Sequence, residues 1–450
     1  MPGVRVTRRG TGRSVGRHLY RFLGEGFGFL YGCHENTIVN VCRGLYERVY
    51  TTERDGVRIP TPRPNRENFE RNMAGFTRKL FGVLPVIPPL SPDAFVQRYT
   101  GRRRQVYERA RAILESRPVR QQDAYLSTFV KCEKLPLSTK PDPAPRLINP
   151  RSPVYNTVVG RHIAHCEKPL FKCIDRVFGG TTVYKGYNVV SCASRMREAW
   201  ESFADPVAIG MDAHRFDQHV SDVALEWEHS VWRRMVPNRS RKELGKVLRW
   251  QIHNRGYATC NDGRVRFDVQ GCRMSGDMNT SSGNVLIMCG MVYGFMHAVG
   301  IPNYRLVNNG DDSVLFMERR DLLASRCTGP DFGLCEAITP AVQQRDGEGN
   351  GSLQEGFQHF SNSLHKWFSA MGFHMKVEQV VDVFEQVKFC QTQPVLTSVG
   401  WRMVRDPFVS IPKDLTANCD IRQHTICMRW MHAVGCCGSV LNDGVPVQRA

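Results

Sequence analysis

The sequence predicts an α+β protein built from several subdomains, and three observations carry that expectation. At 450 residues, with 41% of them hydrophobic, the chain exceeds one small domain and has apolar mass for a sizeable core. Short β-like runs at 206–211 (PVAIGM), 304–308 (YRLVN) and 313–317 (SVLFM) alternate with helically spaced segments at 67–83, 93–116, 222–236 and 285–299. Asn309–Gly310, set between two of the β-like runs, is a tight-turn signal that makes 304–317 a hairpin.

The charge balance narrows the class. Lys plus Arg number 61 against 43 Asp plus Glu, a net charge of +18 and a pI near 9.4. Such an excess points to a polyanionic partner, nucleic acid before membrane, although a merely solvated basic surface has the same composition. The 16 cysteines are scattered without a CxxC pair, and the N-terminus has no secretory pattern, so reduced thiols are expected. Cys33, His34 and Cys42, and His162, His165, Cys166 and Cys173, cluster without standard zinc spacing and read as ordinary buried residues. No apolar run is long enough for a transmembrane helix. The opening stretch is Arg-rich with no acid before Glu25, a composition shared by transit peptides, nucleic-acid-binding arms and disordered basic tails.

In chain order, 24–50 reads as a Gly-rich turn followed by a helix, and 55–66, with three prolines, as a linker. Residues 131–151 combine many prolines with Lys131, Lys134, Lys140, Arg146 and Arg151, predicting a stiff, extended loop that fixes positive charge in space. The apolar run 206–211 ends at Asp212, and Asp217 follows five residues on. Ser275–Gly276 lies in a Ser/Gly loop before the apolar helix; Thr280 and Asn284, four apart, share a face of that helix. Asp311 and Asp312 fall at or just after the hairpin turn. Strand alternation makes them inequivalent, with Asp311 expected to face a cleft and Asp312 to approach from the turn. A polar loop is expected over 341–356. A helix, turn and strand follow over 363–380, with Lys376 in the strand. Further strands are expected over 383–402 and a partly helical C-terminus after them.

Asp212, Asp311 and Asp312 repel one another unless a divalent cation lies among them. Mg²⁺ favours a few carboxylates, waters and phosphates, and a pair of such ions suits in-line displacement at phosphorus. Nucleotidyl transfer is the reaction such a set fits, with Arg146 and its neighbours for the triphosphate and Lys376 as proton donor.

The ordered segments MDAHRFD, SGDMNTSSGN, NNGDD, GFHMKVE and FCQTQPV resemble palm motifs A to E of RNA-dependent RNA polymerases of positive-strand RNA viruses. The upstream KCEKLPLSTKPDPAPRLINPRSPVYN is similar to their finger motif F. With FGGTTVYKG and GWRMVRDP, it is most similar to the tombusvirus-like group, over residues 125–415. The resemblance implies a right-hand fold of fingers, palm and thumb, with a ferredoxin-like palm of antiparallel strands backed by helices. Its implied division is a basic extension at 1–60, fingers at 61–205 and 238–274, palm at 206–237 and 275–393, and a small thumb at 394–450.

By the same resemblance, Asp212, Asp311 and Asp312 would bind two Mg²⁺ ions, with Mn²⁺ able to substitute. Asp217, Thr280 and Asn284 would read the ribose, and Ser275 and Gly276 would flex with template and nucleotide. Lys134, Arg146 and Arg151 would line the NTP channel, and Lys376 would be the general acid. Lys131, Lys185, Phe389, Cys390 and Gln391 would contact RNA, with a core role equally open for Cys390. The implied partners are template and nascent viral RNA, NTPs and an auxiliary replication protein or host factors. The implied setting is host cytoplasm at membrane-associated replication sites, reached indirectly because no anchor is recognisable. A longer readthrough product is the alternative. A reverse transcriptase fits less well, since Asp217 stands where a bulky steric gate is usual. A non-enzymatic RNA-binding protein would not need the three aspartates, and a metal nuclease would not need Thr280, Asn284 and the basic loop together.

Overall fold

The computed structural model describes residues 3–9, 16–22, 30–325 and 353–446. Its centre is a four-stranded antiparallel sheet in the order Tyr304–Asn308, Asp312–Glu318, Pro206–Ala213, Met375–Val377. The apolar run in Pro206–Ala213 serves both faces of this sheet, because successive side chains alternate. Val207, Ile209, Met211 and Ala213 enter the largest core. Ala208 enters a second core with Val314 and Phe316, against the helix Val189–Trp200. Asp212 continues this second face and is only partly buried, so the strand ends where its cover ends.

The helix Thr280–Ala298 lies on the first face. It is apolar around its whole circumference, as a fully enclosed helix must be, and from Ser282 to Val292 every residue is buried. Helices Arg66–Val83, Asp222–Arg234 and Leu353–Ala370 pack around it.

A second sheet runs in the order Arg5–Arg8, Gly263–Gln270, His253–Cys260, Leu126–Val130, Leu147–Ile148. Its hairpin of 253–260 and 263–270 buries alternate residues over a separate core. Part of the basic N-terminus is therefore no disordered tail: Arg5–Arg8 is an edge strand, all four residues exposed. Tyr20–Arg21 likewise pairs with Thr416–Ala417.

Two expectations need correction. The linker expected at 55–66 instead begins inside a hairpin, Thr51–Arg54 paired with Val57–Pro60. Asp55 and Gly56 both have positive φ, the turn that Asp-Gly favours, and this outweighs the breaking effect of the prolines. The polar loop expected at 341–356 ends earlier, since Leu353 already opens a helix; its residues before 353, and the Gly-rich turn at 24–29, lie outside the described residues. The stiff loop 131–151 is extended as expected, with short strands at Leu135–Pro136 and Leu147–Ile148.

Candidate active site

The turn that carries the aspartates is built by one buried side chain. Asn308, fully enclosed, donates through Nδ2 to the Gly310 carbonyl (2.8 Å) and to Ser313 Oγ (2.8 Å), and its Oδ1 accepts from the Gly310 N–H (3.0 Å). The Asn309 N–H closes the turn on the Asp312 carbonyl (2.9 Å), and Gly310 takes φ +96°. Residues 182–185 brace the turn from behind. The Asn308 N–H donates to Thr182 O, Tyr184 N–H donates to Asn308 O, and Lys185 Nζ donates to the Asn309 carbonyl at 3.2 Å.

Asp311 therefore sits exposed in the turn itself, and Asp312 opens the following strand. The expected positions are in part reversed: Asp312 belongs to the strand, not the turn. It stands directly opposite Asp212, which stands directly opposite Lys376. Cross-strand partners share a sheet face with Cβ atoms about 4.5–5.5 Å apart, so Asp312, Asp212 and Lys376 form one rung across three strands.

The electrostatics of the rung are those of crowded anions. Burial, then the Asp311 charge, push the Asp212 carboxyl above its usual range, while Lys376 and Lys140 pull it back. Burial, then Asp311 and Asp212, push Asp312 up to about 6. Asp311 is the strongest neighbouring charge on both. Cys390, whose thiol burial pushes up to about 12, hydrogen-bonds Asp312 and accepts from Asn309 Nδ2 at 3.0 Å. Three mutually repelling hard-oxygen donors fit a divalent cation in their chemistry. They are not gathered into a finished cage: among the described residues no three His, Cys, Asp or Glu side chains converge as a metal would require.

Beside the rung lies a buried polar network. Asn284 Nδ2 donates to Asp217 Oδ1 (2.8 Å), and Arg273 Nε donates to Asn284 Oδ1 (3.1 Å). Arg273, 2% exposed, forms an ion pair with Glu228, 0% exposed. Glu228 also accepts from Asn279 Nδ2 (2.7 Å) and Trp232 Nε1 (2.8 Å), and Gln251 donates to Asn279 Oδ1 (3.0 Å). Gly283 makes room for the ion pair, since a Cβ there would lie 2.5 Å from both Arg273 Nη2 and Glu228 Oε1. Burial raises the Asp217 carboxyl, against the opposing pull of the Asn284 amide and of Arg273.

A family model described as viral RNA dependent RNA polymerase matches residues 5–331 and 353–450. The chain belongs to this polymerase family. Similar proteins include the RNA-directed RNA polymerases of Tobacco necrosis virus (strain D), Melon necrotic spot virus and Tomato bushy stunt virus (strain Cherry). The first is 44% identical over 446 residues, 99% of this chain and 56% of the relative. The second is 39% identical over 432 residues, 96% and 50%, and the third 40% over 414 residues, 92% and 46%. The chain thus spans about half the length of the curated relatives it matches.

Within this polymerase-family chain the other expected site residues divide. Thr280, at the helix start, donates to Met274 O (3.0 Å), and Ser275 Oγ donates to Leu147 O (3.0 Å), so the Ser275–Gly276 loop leans on the end of the basic loop. Arg146, exposed, pairs with Glu133 (3.3 Å), as does Lys131 (3.3 Å), and the Arg146 charge acts on Asp217. Lys134 Nζ instead donates to Lys413 O (2.6 Å), tying the loop to the C-terminal region, and burial lowers its pKa. Arg151 does not line a channel. It is 3% exposed, paired with Asp277 and bonded to Ala124 O (2.7 Å) and Asn254 Oδ1 (2.6 Å). Phe389 is not free for RNA either: it is buried in the second core, edge-on to Tyr184 at 5.8 Å. Gln391 is exposed with φ +62°, beside a cavity of about 300 Å³ shared with Lys388 and Arg405.

Sequence reasoning missed three residues. Glu378 raises both Asp212 and Asp312, and the period-two strand pattern from Lys376 would have placed it on the same face. Lys140, already read as one of the basic loop's fixed charges, acts on Asp212. Arg273 and Glu228 had no local signal, because their pairing is tertiary.

Proposed function

We propose that this chain is the catalytic portion of an RNA-directed RNA polymerase that replicates a positive-strand viral genome. It would add nucleotides from NTPs to the 3′ end of RNA on an RNA template. The observation that carries this reading is the rung of Asp312, Asp212 and Lys376 with Asp311 at its head, in a chain of the viral polymerase family. Asp212, Asp311 and Asp312 would hold two Mg²⁺ ions, which Mn²⁺ can replace. Once bound, such ions favour ionisation of the 3′-hydroxyl and neutralise the departing pyrophosphate.

The chain's own residues do the rest. Asp217 and Asn284, fixed by Arg273, present an acceptor and a donor to the ribose 2′-hydroxyl, the group that separates RNA from DNA precursors. Arg146 and Lys140 steady the triphosphate. Lys376 gives a proton to the leaving pyrophosphate. Lys185, fixed on the aspartate turn, meets the nascent strand.

In this reading the central sheet and the helix Thr280–Ala298 are the palm of a right hand. The second sheet and the basic loop belong to the fingers, and residues 394–450 to the thumb. No helix among the described residues is long and apolar enough to cross a membrane; an auxiliary viral or host protein would bring the chain to membrane-bound replication sites.

The test is purified protein with an RNA template, NTPs and MgCl₂. Template-dependent incorporation is expected, with NTPs preferred over dNTPs. Equal use of dNTPs would remove the role given to Asp217 and Asn284, and incorporation that survives Asp311→Ala would remove the metal site.

A further inference from the structure

A cavity of about 950 Å³ opens between the end of helix Asp222–Arg234 and the helix Asn238–Arg249. Arg233, Arg241, Lys242, Lys246 and Arg249 line it, with Trp250 at one end. Residues 241, 242, 245, 246 and 249 share one face of the second helix, at the i, i+4, i+8 spacing. Gly245, in the middle of that stripe, has no side chain, and Arg233 of the facing helix fills the gap: a Cβ at 245 would touch its Cδ at 3.5 Å.

The charge of this cavity is uncompensated. Its one acid, Glu226, is already taken by Arg66 at 2.7 Å. The one acid of the lining helix, Glu243, pairs with His162 at 3.6 Å. Among the described residues none of the five cations is in an ion pair. Like charges this close repel, and a solvated protein surface ordinarily intersperses the two signs.

We propose that this cavity is a second RNA-binding site, separate from the aspartate turn, which holds the phosphates of a single-stranded segment. The cations run along about 12 Å of helix from residue 241 to residue 249, farther than one phosphate extends and open along their length. A membrane surface fits less well: no large hydrophobic side chain is exposed between residues 226 and 252 to insert into lipid, and the site is concave. The choice of RNA as ligand rests on the polymerase reading, but binding here does not depend on the catalytic carboxylates.

The test uses the full 450-residue chain and a fluorescein-labelled poly(U) strand, with affinity read by anisotropy over a range of KCl. Arg241→Ala/Lys246→Ala/Arg249→Ala is expected to weaken binding roughly tenfold and to flatten the slope of log K against log salt by about 2. Arg241→Lys/Lys246→Arg/Arg249→Lys, which keeps the charge, restores both. Asp311→Ala binds like the parent. Unchanged affinity and slope in the neutral triple variant would overturn the proposal. So would a loss confined to free NTP, to phosphatidylserine vesicles or to a polyglutamate peptide while poly(U) binding holds. If no protein makes RNA but the triple variant still loses poly(U), the polymerase reading fails and the cavity assignment stands. If synthesis on a short template is normal and poly(U) binding is unaltered, the reverse holds.

Discussion

The chain carries two polar clusters side by side, and they are built on opposite principles. The rung of Asp312, Asp212 and Lys376, with Asp311 in the turn, leaves its anions crowded and under-compensated. The network of Arg273, Glu228, Asn279, Asn284 and Asp217 is buried, and its ion pair is supported by hydrogen bonds. In Glu228, burial pushes the carboxyl up but Arg273 holds it below its usual range; in Asp312 nothing of that strength opposes burial. The first cluster is unfavourable until a cation arrives, and so it can respond to one. The second is already paired before any ligand binds, which lets it hold Asn284 and Asp217 in one orientation, as the proposed reading of the ribose requires.

The largest effect should come from breaking the first cluster at its hub. Asp311→Ala is expected to lower incorporation by about 10³-fold or more, the scale of several kcal/mol of lost charge stabilisation. Because Asp311 is exposed, folding should be untouched, so near-parental urea unfolding beside lost synthesis is the expected pair of results. Loss of fold instead would mean that the turn is structural.

The second cluster should fail in the other way. Arg273→Met leaves Glu228 buried without its partner and should cost about 3–5 kcal/mol in urea unfolding. Adding Glu228→Met should recover only part of that stability, because Asn279 and Trp232 then lose their acceptor. It should not recover sugar selectivity, because Asn284 Oδ1 has still lost its donor. The double variant is therefore expected to fold and to use dNTPs more readily relative to NTPs. Parental selectivity in that protein would show that the ion pair supports the fold alone.

Lys376 lies between the two cases, a cation set in the anionic rung. Lys376→Leu should reduce incorporation by about 10²-fold, as loss of a general acid does. It also removes a charge that pulls Asp212 down, so the acid limb of the pH–rate profile should move to higher pH. A lower rate with the limb unmoved would assign Lys376 to phosphate binding only.

How much of this was legible in the sequence follows from the range of each interaction. The hairpin was, because Asn309–Gly310 and its flanking strands are a local pattern. So was the helix Thr280–Ala298, whose apolar circumference needs no partner to be read. Arg151 was misread because the proline-rich loop advertises exposed charge, while the partner that buries it, Asp277, is 126 residues away. Phe389 was misread as free for RNA, although an aromatic in such a segment packs inward when a core such as that around Tyr184 lies beneath it. The Arg273–Glu228 pair spans 45 residues and has no spacing rule. The rung itself depends on register, which sets Asp312 against Asp212, and register is fixed by tertiary packing.

The smallest effect is the sharpest test of crowding in the rung. With its carboxyl pushed up to about 6, Asp312 binds a proton more tightly in the folded than in the unfolded chain. Stability due to that proton is complete below the ordinary carboxylate range near 3.9 and is lost as pH rises through about 6. Asn carries no such charge. In metal-free buffer at pH 7.5, Asp312→Asn should therefore be more stable than the parent. The gain should be on the order of 1–2 kcal/mol, after allowance for the solvent that screens a partly exposed group. At pH 5 the gain should shrink to about half, since the parent is then largely protonated. Millimolar MgCl₂ should stabilise the parent more than the variant at pH 7.5 and narrow the same gap. A gap that ignores both pH and magnesium would mean that Asp312 feels its backbone and Cys390 more than it feels Asp311 and Asp212, and the contrast between the two clusters would be one of burial alone.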